Sequence, residues 1–219
     1  MENDHFLIYD IEPKTNQYGF IKKAATPMLV PQGVRAAFQL ESYHGRMACV
    51  VTGEVFDEED GYVTIFHEFI HCQQSELCEQ ELKQKLEIAR KAQAANDIMW
   101  EINHPFPYTT ADFVEIYQAF LATHELPEIE RIRHKLNAIL NPEDYEYMVW
   151  QEWKEGFARF IENQIRNRLG LPENHRGREQ PFNRVVFYAG GDHYIKVLSM
   201  HEIDLIIQIE TLFDRMFAG

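Results

Sequence analysis

The spacing of hydrophobic positions along this chain changes once, near residue 57. Before that point, short apolar runs with β-branched residues alternate with turn signals, which is typical of strands. Residues 36–41 and 47–56 are predicted to pair around a turn at 43–46, and a further apolar run covers 6–9. The first part of the chain is therefore predicted to form a small antiparallel sheet.

Beyond residue 57 the apolar positions recur every three to four residues, which is the period of an α-helix. Val63, Phe66, Ile70 and Leu77 follow this spacing, and we expect this helix to face the core. Residues 80–96 are rich in Glu, Lys, Gln, Leu and Ala, which are good helix formers. Further helical stretches are predicted at 110–122, 127–139, 143–168, 181–199 and 203–217.

The predicted fold class is α+β and helix-dominated, with a small N-terminal antiparallel sheet. Residues 1–56 are expected to be mostly strands, and residues 57–219 mostly helices. No Gly/Ser/Pro-rich linker divides the 219 residues, and 45% of them are hydrophobic, which is enough for one sizeable core. We therefore expect residues 1–219 to be a single domain.

Charge and composition narrow the partners that this chain can have. Its formal net charge is -14, whereas proteins that bind nucleic acid or anionic membranes present basic patches, so neither partner is expected. No apolar run approaches the ~20 residues that a bilayer requires. Three cysteines without a C-x-x-C pair indicate reduced thiols, and the acidic first five residues lack the features of a signal peptide. We expect a cytoplasmic protein, while the sequence leaves the oligomeric state open.

The segment H-E-F-I-H, residues 67–71, lies within the first predicted helix. His67 and His71 are four residues apart, so both imidazoles project from one face of the helix and can share one metal ion. Glu68 lies roughly 100° further around the axis, beside the metal, where its carboxylate can take a proton from a metal-bound water. The pattern predicts one Zn²⁺ per chain, with Glu68 as the general base.

A simpler interpretation is that His67 and His71 are two partly exposed and unrelated histidines, since the chain has ten. The apolar run at 62–66 favours a core-facing helix instead, and a buried histidine pair beside a glutamate is costly without a metal or other partners. A zinc site also needs a third protein ligand. Glu152 and Glu155, three residues apart on one side of a predicted helix, are the candidates.

The stretch K-E-G-F-A-R-F-I-E, residues 154–162, resembles the N-E-G-F-A-x-Y-x-E segment of the gluzincin metallopeptidases, especially their aminopeptidase-like branch. The resemblance implies a zincin-like fold and makes Glu155 the third zinc ligand. The family's second glutamate falls on Glu162, where it would orient a ligand histidine. Gly156 would allow a neighbouring helix or the metal site to approach closely, and Ala158 keeps that face small.

The segment Y-A-G-G, residues 188–191, resembles the Y-x-K-G segment of the same branch, with Gly190 in place of the lysine. The resemblance implies that Tyr188 donates a hydrogen bond to the oxyanion of the tetrahedral intermediate. Tyr194 and His193 are rival donors. Tyr188 could instead be a core aromatic residue next to a helix interruption at the two glycines.

The resemblance covers three short segments and departs from the family in two respects. Glu155 follows His71 by 84 positions (155 minus 71), a longer interval than in the aminopeptidases. The G-x-M-E-N segment, which holds a substrate's free amino terminus in that branch, is missing near the motif helix. The sequence therefore predicts zinc-dependent hydrolysis of a peptide or protein substrate, without support for aminopeptidase action. The strand at 47–56 could bind an extended peptide.

Two alternatives remain open at this point. The first is a catalytically silent zinc-binding domain of zincin-like fold that acts as a protein-interaction module. The retention of Glu68 argues against it, since a silent domain needs no base. The second is a helical interaction protein without a metal, in which the motif is accidental.

Overall fold

The computed structural model describes residues 4–27, 29–57 and 59–218, so the first three residues of the acidic N-terminal segment lie outside it. The chain divides into two compact units, Met1–Gln73 and Gln74–Gly219. The first unit holds the strands and the second holds most of the helices. The expectation that residues 1–219 form a single zincin-like domain stays a prediction.

Four strands form two antiparallel hairpins in the first unit. They are β1 (His5–Glu12), β2 (Gln17–Ala25), β3 (Arg35–Leu40) and β4 (Arg46–Val51). β1 pairs with β2, and β3 pairs with β4 so that Leu40 lies opposite Arg46. The predicted pairing around 43–46 is confirmed. The strand predicted at 47–56 ends earlier than expected, because Gly53–Phe56 forms a 3-10 helix.

The core of the first unit is made by side chains from both hairpins. Its buried members are Phe6, Ile8, Leu40 and Val50. Phe6 and Ile8 are two residues apart on β1, so they lie on the same face of the strand. Burial of this face gives the two small sheets a common apolar support, because a two-stranded hairpin alone is marginally stable in water.

Helix α1 (Glu59–Gln74) follows the strands and packs on them. A Cβ at Gly61 would lie 1.7 Å from the carbonyl oxygen of Val55, so only glycine allows the start of the helix to sit this close to the preceding segment. The Cys49 thiol on β4 donates to the carbonyl oxygen of Ile65 at 3.8 Å. The Tyr18 ring on β2 stacks on Phe69, with ring centroids 6.2 Å apart. α1 therefore contacts both hairpins.

The second unit is helical. Its α-helices are α2 (Gln80–Lys85), α3 (Glu87–Ala94), α4 (Trp100–Asn103), α5 (Ala111–Ala122), α6 (Leu126–Ile139), α7 (Pro142–Leu169), α8 (Val185–His201) and α9 (Ile209–Ala218). The unit also contains a π-helical segment at Ser75–Glu79 and a 3-10 helix at Ile203–Ile206. The helices predicted at 110–122, 127–139 and 143–168 are confirmed to within one residue at each end. The helix predicted at 80–96 is divided, since Leu86 has an extended backbone and a buried side chain.

Helix α7 is the longest element of the second unit, and its two ends are marked in the sequence. The Asn141 side chain accepts a hydrogen bond from the backbone N–H of Asp144 at 2.8 Å, and Pro142 occupies the first turn. The helix ends at Gly170, whose φ of 72° is the left-handed conformation that favours glycine. These signals fix the two ends of α7, and Glu155 lies in the helix between them.

The α+β, helix-dominated class is confirmed, although the strands form two small sheets. Helical spacing does not place every apolar residue in the core, because Val63 is buried but Phe66 and Leu77 are exposed. That part of the prediction is wrong. Among the described residues, no helix is both long enough and apolar enough to cross a membrane.

Candidate metal centre

The two motif histidines lie side by side on α1, in the first unit. The Nε2 atoms of His67 and His71 are 3.2 Å apart, and the two rings are nearly perpendicular, with an interplanar angle of 78°. Two nitrogen ligands of a tetrahedral zinc ion, each ~2.05 Å from the metal, lie about 3.3 Å from one another. The pair therefore fits the spacing of two zinc ligands. The same distance also fits an N–H···N hydrogen bond between neutral imidazoles.

Glu68 is buried, with 9% of its surface exposed. Desolvation raises the pKa of the Cys49 thiol to about 12, and the charge of Glu68 is the next largest cause. Glu68 thus lies close enough to β4 to influence a residue there, and Cys49 stays a neutral thiol at physiological pH. A buried carboxylate beside the two histidines is in a position where a base can act on water.

Glu152 is the competing ligand candidate, and its partners in the second unit occupy both of its carboxylate oxygens. Tyr117 donates its hydroxyl to Oε1 at 2.6 Å, and Arg133 donates Nη1 to Oε2 at 2.8 Å. Glu152 and Arg133 are both completely buried. Because a buried ion pair of this kind is costly to break, Glu152 serves the packing of α7 and is a poor choice of metal ligand.

Glu155 has different neighbours within the second unit. Its Oε1 lies 3.8 Å from Nη1 of Arg184, which is longer than a hydrogen bond. Besides burial, the Glu155 charge raises the pKa of the Tyr188 phenol, so the two side chains lie close together. Gln74, the first residue of the second unit, donates Nε2 to the carbonyl oxygens of Trp153 and Lys154 at 3.3 and 3.1 Å, immediately before Glu155 in the chain.

The three predicted oxyanion donors lie in different surroundings. Burial raises the pKa of Tyr188, and the charge of Glu155 raises it further, so the phenol keeps its proton. Tyr194 is completely buried, its ring lies 4.6 Å from the Arg133 guanidinium, and its hydroxyl has no hydrogen-bond partner within the described residues. His193 donates its Nε2–H to the Thr123 carbonyl oxygen at 2.7 Å. Of the three, Tyr188 is the one whose pKa the charge of Glu155 raises.

The two glycines after Tyr188 do not interrupt the helix, because α8 runs through both of them. A Cβ at Gly156 would lie 2.4 Å from the Cα of Gly191, and a Cβ at Gly190 would lie 1.9 Å from the Tyr117 hydroxyl. Glycine is thus required for the close contact between α7 and α8. The prediction that Gly156 allows a neighbouring helix to approach is confirmed.

Glu162 lies two turns beyond Glu155 on α7 and is buried. Its carboxylate accepts from Nε of Arg166 at 2.9 Å and from Nδ2 of Asn174 at 2.8 Å, and Arg159 lies 3.3 Å away. These contacts anchor the loop after α7. The expectation that Glu162 orients a ligand histidine stays a prediction.

Arg184 was not predicted from the sequence as a site residue. It precedes α8, and its guanidinium lies 5.5 Å from the centroid of the Tyr188 ring in addition to its contact with Glu155. The only signal in the sequence is its position one helical turn before Tyr188, which places both side chains on one side of the helix.

No protein-family model, curated protein or solved structure significantly matches this chain.

Proposed function

We propose that this protein is a zinc-dependent metallopeptidase of the gluzincin type, in which His67, His71 and Glu155 bind one zinc ion. The observation that carries the proposal is the 3.2 Å separation of the two histidine Nε2 atoms beside the buried Glu68. Each of the three residues offers one ligand atom of a kind that zinc binds, an imidazole nitrogen or a carboxylate oxygen. The donor set thus fits the metal.

The choice of Glu155 as third ligand draws its support from the second unit. Both oxygens of Glu152 are used by Tyr117 and Arg133, whereas the contact of Glu155 Oε1 with Arg184, at 3.8 Å, is longer than a hydrogen bond. Two histidines and one glutamate are a ligand set of catalytic zinc sites, which keep one position open.

The protein's own residues would divide the chemistry between them. Zinc, when bound, acidifies water and polarises a carbonyl oxygen. Glu68 accepts the proton of the attacking water and returns it to the nitrogen of the leaving amine, so that the carboxylate is regenerated. Tyr188, a neutral phenol, donates a hydrogen bond to the oxygen on which negative charge develops.

Two measurements test the proposal and separate it from its alternatives. Metal analysis of protein purified without added zinc should find about one zinc ion per chain. Clearly substoichiometric metal would favour a helical interaction protein without a metal site. A mixed peptide library should be cleaved by the wild-type protein but not by Glu68→Gln. A protein that binds zinc and cleaves nothing would instead be a catalytically silent interaction domain.

A further inference from the structure

Arg184 is a cation with unused hydrogen-bonding capacity. Within the described residues, its guanidinium makes no hydrogen bond, and its nearest acidic oxygen is Oε1 of Glu155 at 3.8 Å. About a third of the side chain is exposed to solvent. A guanidinium carries five N–H donors in a rigid fork that matches a carboxylate, so Arg184 has room for an anionic partner.

The other arginine beside Tyr188 is already engaged. Arg159 lies 5.5 Å from the same ring, but its Nη1 donates to the carbonyl oxygens of Asn174 and Arg176, and its Nε lies 3.3 Å from Glu162. Arg159 is also buried. Arg159 therefore holds the loop after α7, and Arg184 is the arginine that can meet a ligand.

The position of Arg184 is fixed by the packing that also fixes Glu155 and Tyr188. α7 and α8 are held in contact by Gly156 and Gly191, and the Arg184 guanidinium lies 5.5 Å from the Tyr188 ring centroid. The attraction between the guanidinium and the aromatic ring restricts the position of the Arg184 side chain, and it leaves the N–H donors available for another partner. The guanidinium is thus held next to the residues that the proposed function assigns to zinc and to the oxyanion.

We propose that Arg184 determines specificity by binding a carboxylate of the peptide substrate. This inference rests on the proposed function, because it takes Glu155 and Tyr188 as parts of the catalytic site. A substrate carboxylate can come from the C-terminus of a peptide or from an Asp or Glu side chain. The chemistry of recognition is the same for both, a bidentate pair with the guanidinium.

The test measures binding rather than cleavage, using zinc-loaded Glu68→Gln protein that cannot consume the peptides. A pool of tetrapeptides with free C-termini is compared with the same pool amidated, and peptides with an internal Glu are compared with their Gln counterparts. Retention is measured by affinity selection and mass spectrometry. We expect at least one carboxylate-bearing set to bind about tenfold more tightly than its uncharged counterpart, as a charge-assisted hydrogen bond implies.

The same comparison in Glu68→Gln/Arg184→Gln should lose the preference, and Arg184→Lys should keep part of it because the charge remains. Arg168→Gln, which removes an exposed charge near the end of α7, is the matched control and should keep the full preference. Preference for the free C-terminus or for the internal Glu identifies the source of the carboxylate. Equal retention of charged and uncharged peptides, no retention of any, or a preference that survives Arg184→Gln would overturn the inference. A protein that shows the preference but never cleaves would refute only the proposed function.

Discussion

The Nε2 atoms of His67 and His71 lie 3.2 Å apart, which is close to the separation of two nitrogen ligands on one tetrahedral zinc ion. Residues four apart on a helix are neighbours on its surface, so the helix itself brings the two rings together. The same helix turn carries the buried Glu68. The site can therefore be tested one residue at a time.

Replacing His71 by Gln should remove a zinc ligand, and the zinc content should fall from about one ion per chain towards none after dialysis against a weak chelator. His134→Gln, at an exposed position on α6, is the control and should retain the metal. Elemental analysis gives the stoichiometry directly. If His71→Gln kept its zinc, the two imidazoles would be a hydrogen-bonded pair rather than ligands.

Glu152 and Glu155, both on α7, should respond oppositely to the same change. Glu155→Gln should weaken zinc binding by more than about tenfold while leaving the stability of the metal-free protein near that of the wild type. Glu152→Gln should leave the buried Arg133 without its charge partner and destabilise the fold by about 3 kcal/mol or more. Zinc titration and urea unfolding of both variants distinguish the two roles. If folded Glu152→Gln lost more zinc affinity than Glu155→Gln, Glu152 would be the zinc ligand and Glu155 would not.

Gly156→Ala should disrupt the contact between α7 and α8, because the added Cβ would meet the Cα of Gly191 at 2.4 Å. Overpacking of this kind costs about 1–3 kcal/mol in the free energy of unfolding. Gly53→Ala, whose Cβ would meet nothing within 4 Å, is the control for the loss of a glycine. Thermal or urea unfolding provides the comparison, and equal stability of the two variants would contradict the packing described here.

His193 should make the protein less stable in mild acid. Desolvation lowers its pKa to about 4, and the charges of Arg178 and His124 act in the same direction, whereas its hydrogen bonds to backbone at Thr123 and Phe120 oppose them. The unfolded chain therefore takes up a proton near pH 6.5 that the folded chain refuses until about pH 4. This contribution to stability is complete above pH 6.5 and is lost as the pH falls through that interval.

The check is the melting temperature of His193→Asn and of wild type between pH 8 and pH 4. The variant should lose less stability across this range, even if it starts lower because a buried hydrogen bond has changed. His134→Asn, at an exposed site, should follow the wild type. Parallel curves for all three proteins would show that His193 does not titrate as described.

Local signals in the sequence predicted much of the fold. Period and helix-forming residues located α5, α6 and α7 to within one residue, and alternation around a glycine turn located the β3–β4 hairpin. The break at Leu86 was not predictable, because the residues around it are mostly good helix formers, although its backbone is extended and its side chain buried.

The site was predictable where its chemistry is local. His67, Glu68 and His71 follow from one helix turn, but Glu152 and Glu155 share a side of α7 and cannot be ranked from spacing. The structure distinguishes the two glutamates through Tyr117 and Arg133. Both residues come from other helices and donate hydrogen bonds to the carboxylate of Glu152. Arg184 has no motif, and its significance depends on the contacts that α8 makes with α7.

The most direct test is the rate of peptide cleavage by wild type and by Glu68→Gln at equal zinc content. We expect wild type to cleave members of a peptide library, and Glu68→Gln to bind the same zinc but to be at least about 100-fold slower, since it lacks the general base. Glu81→Gln, an exposed change of the same kind on α2, should cleave at the wild-type rate. Equal cleavage by wild type and Glu68→Gln at equal zinc content would show that Glu68 is not the general base of a zinc peptidase.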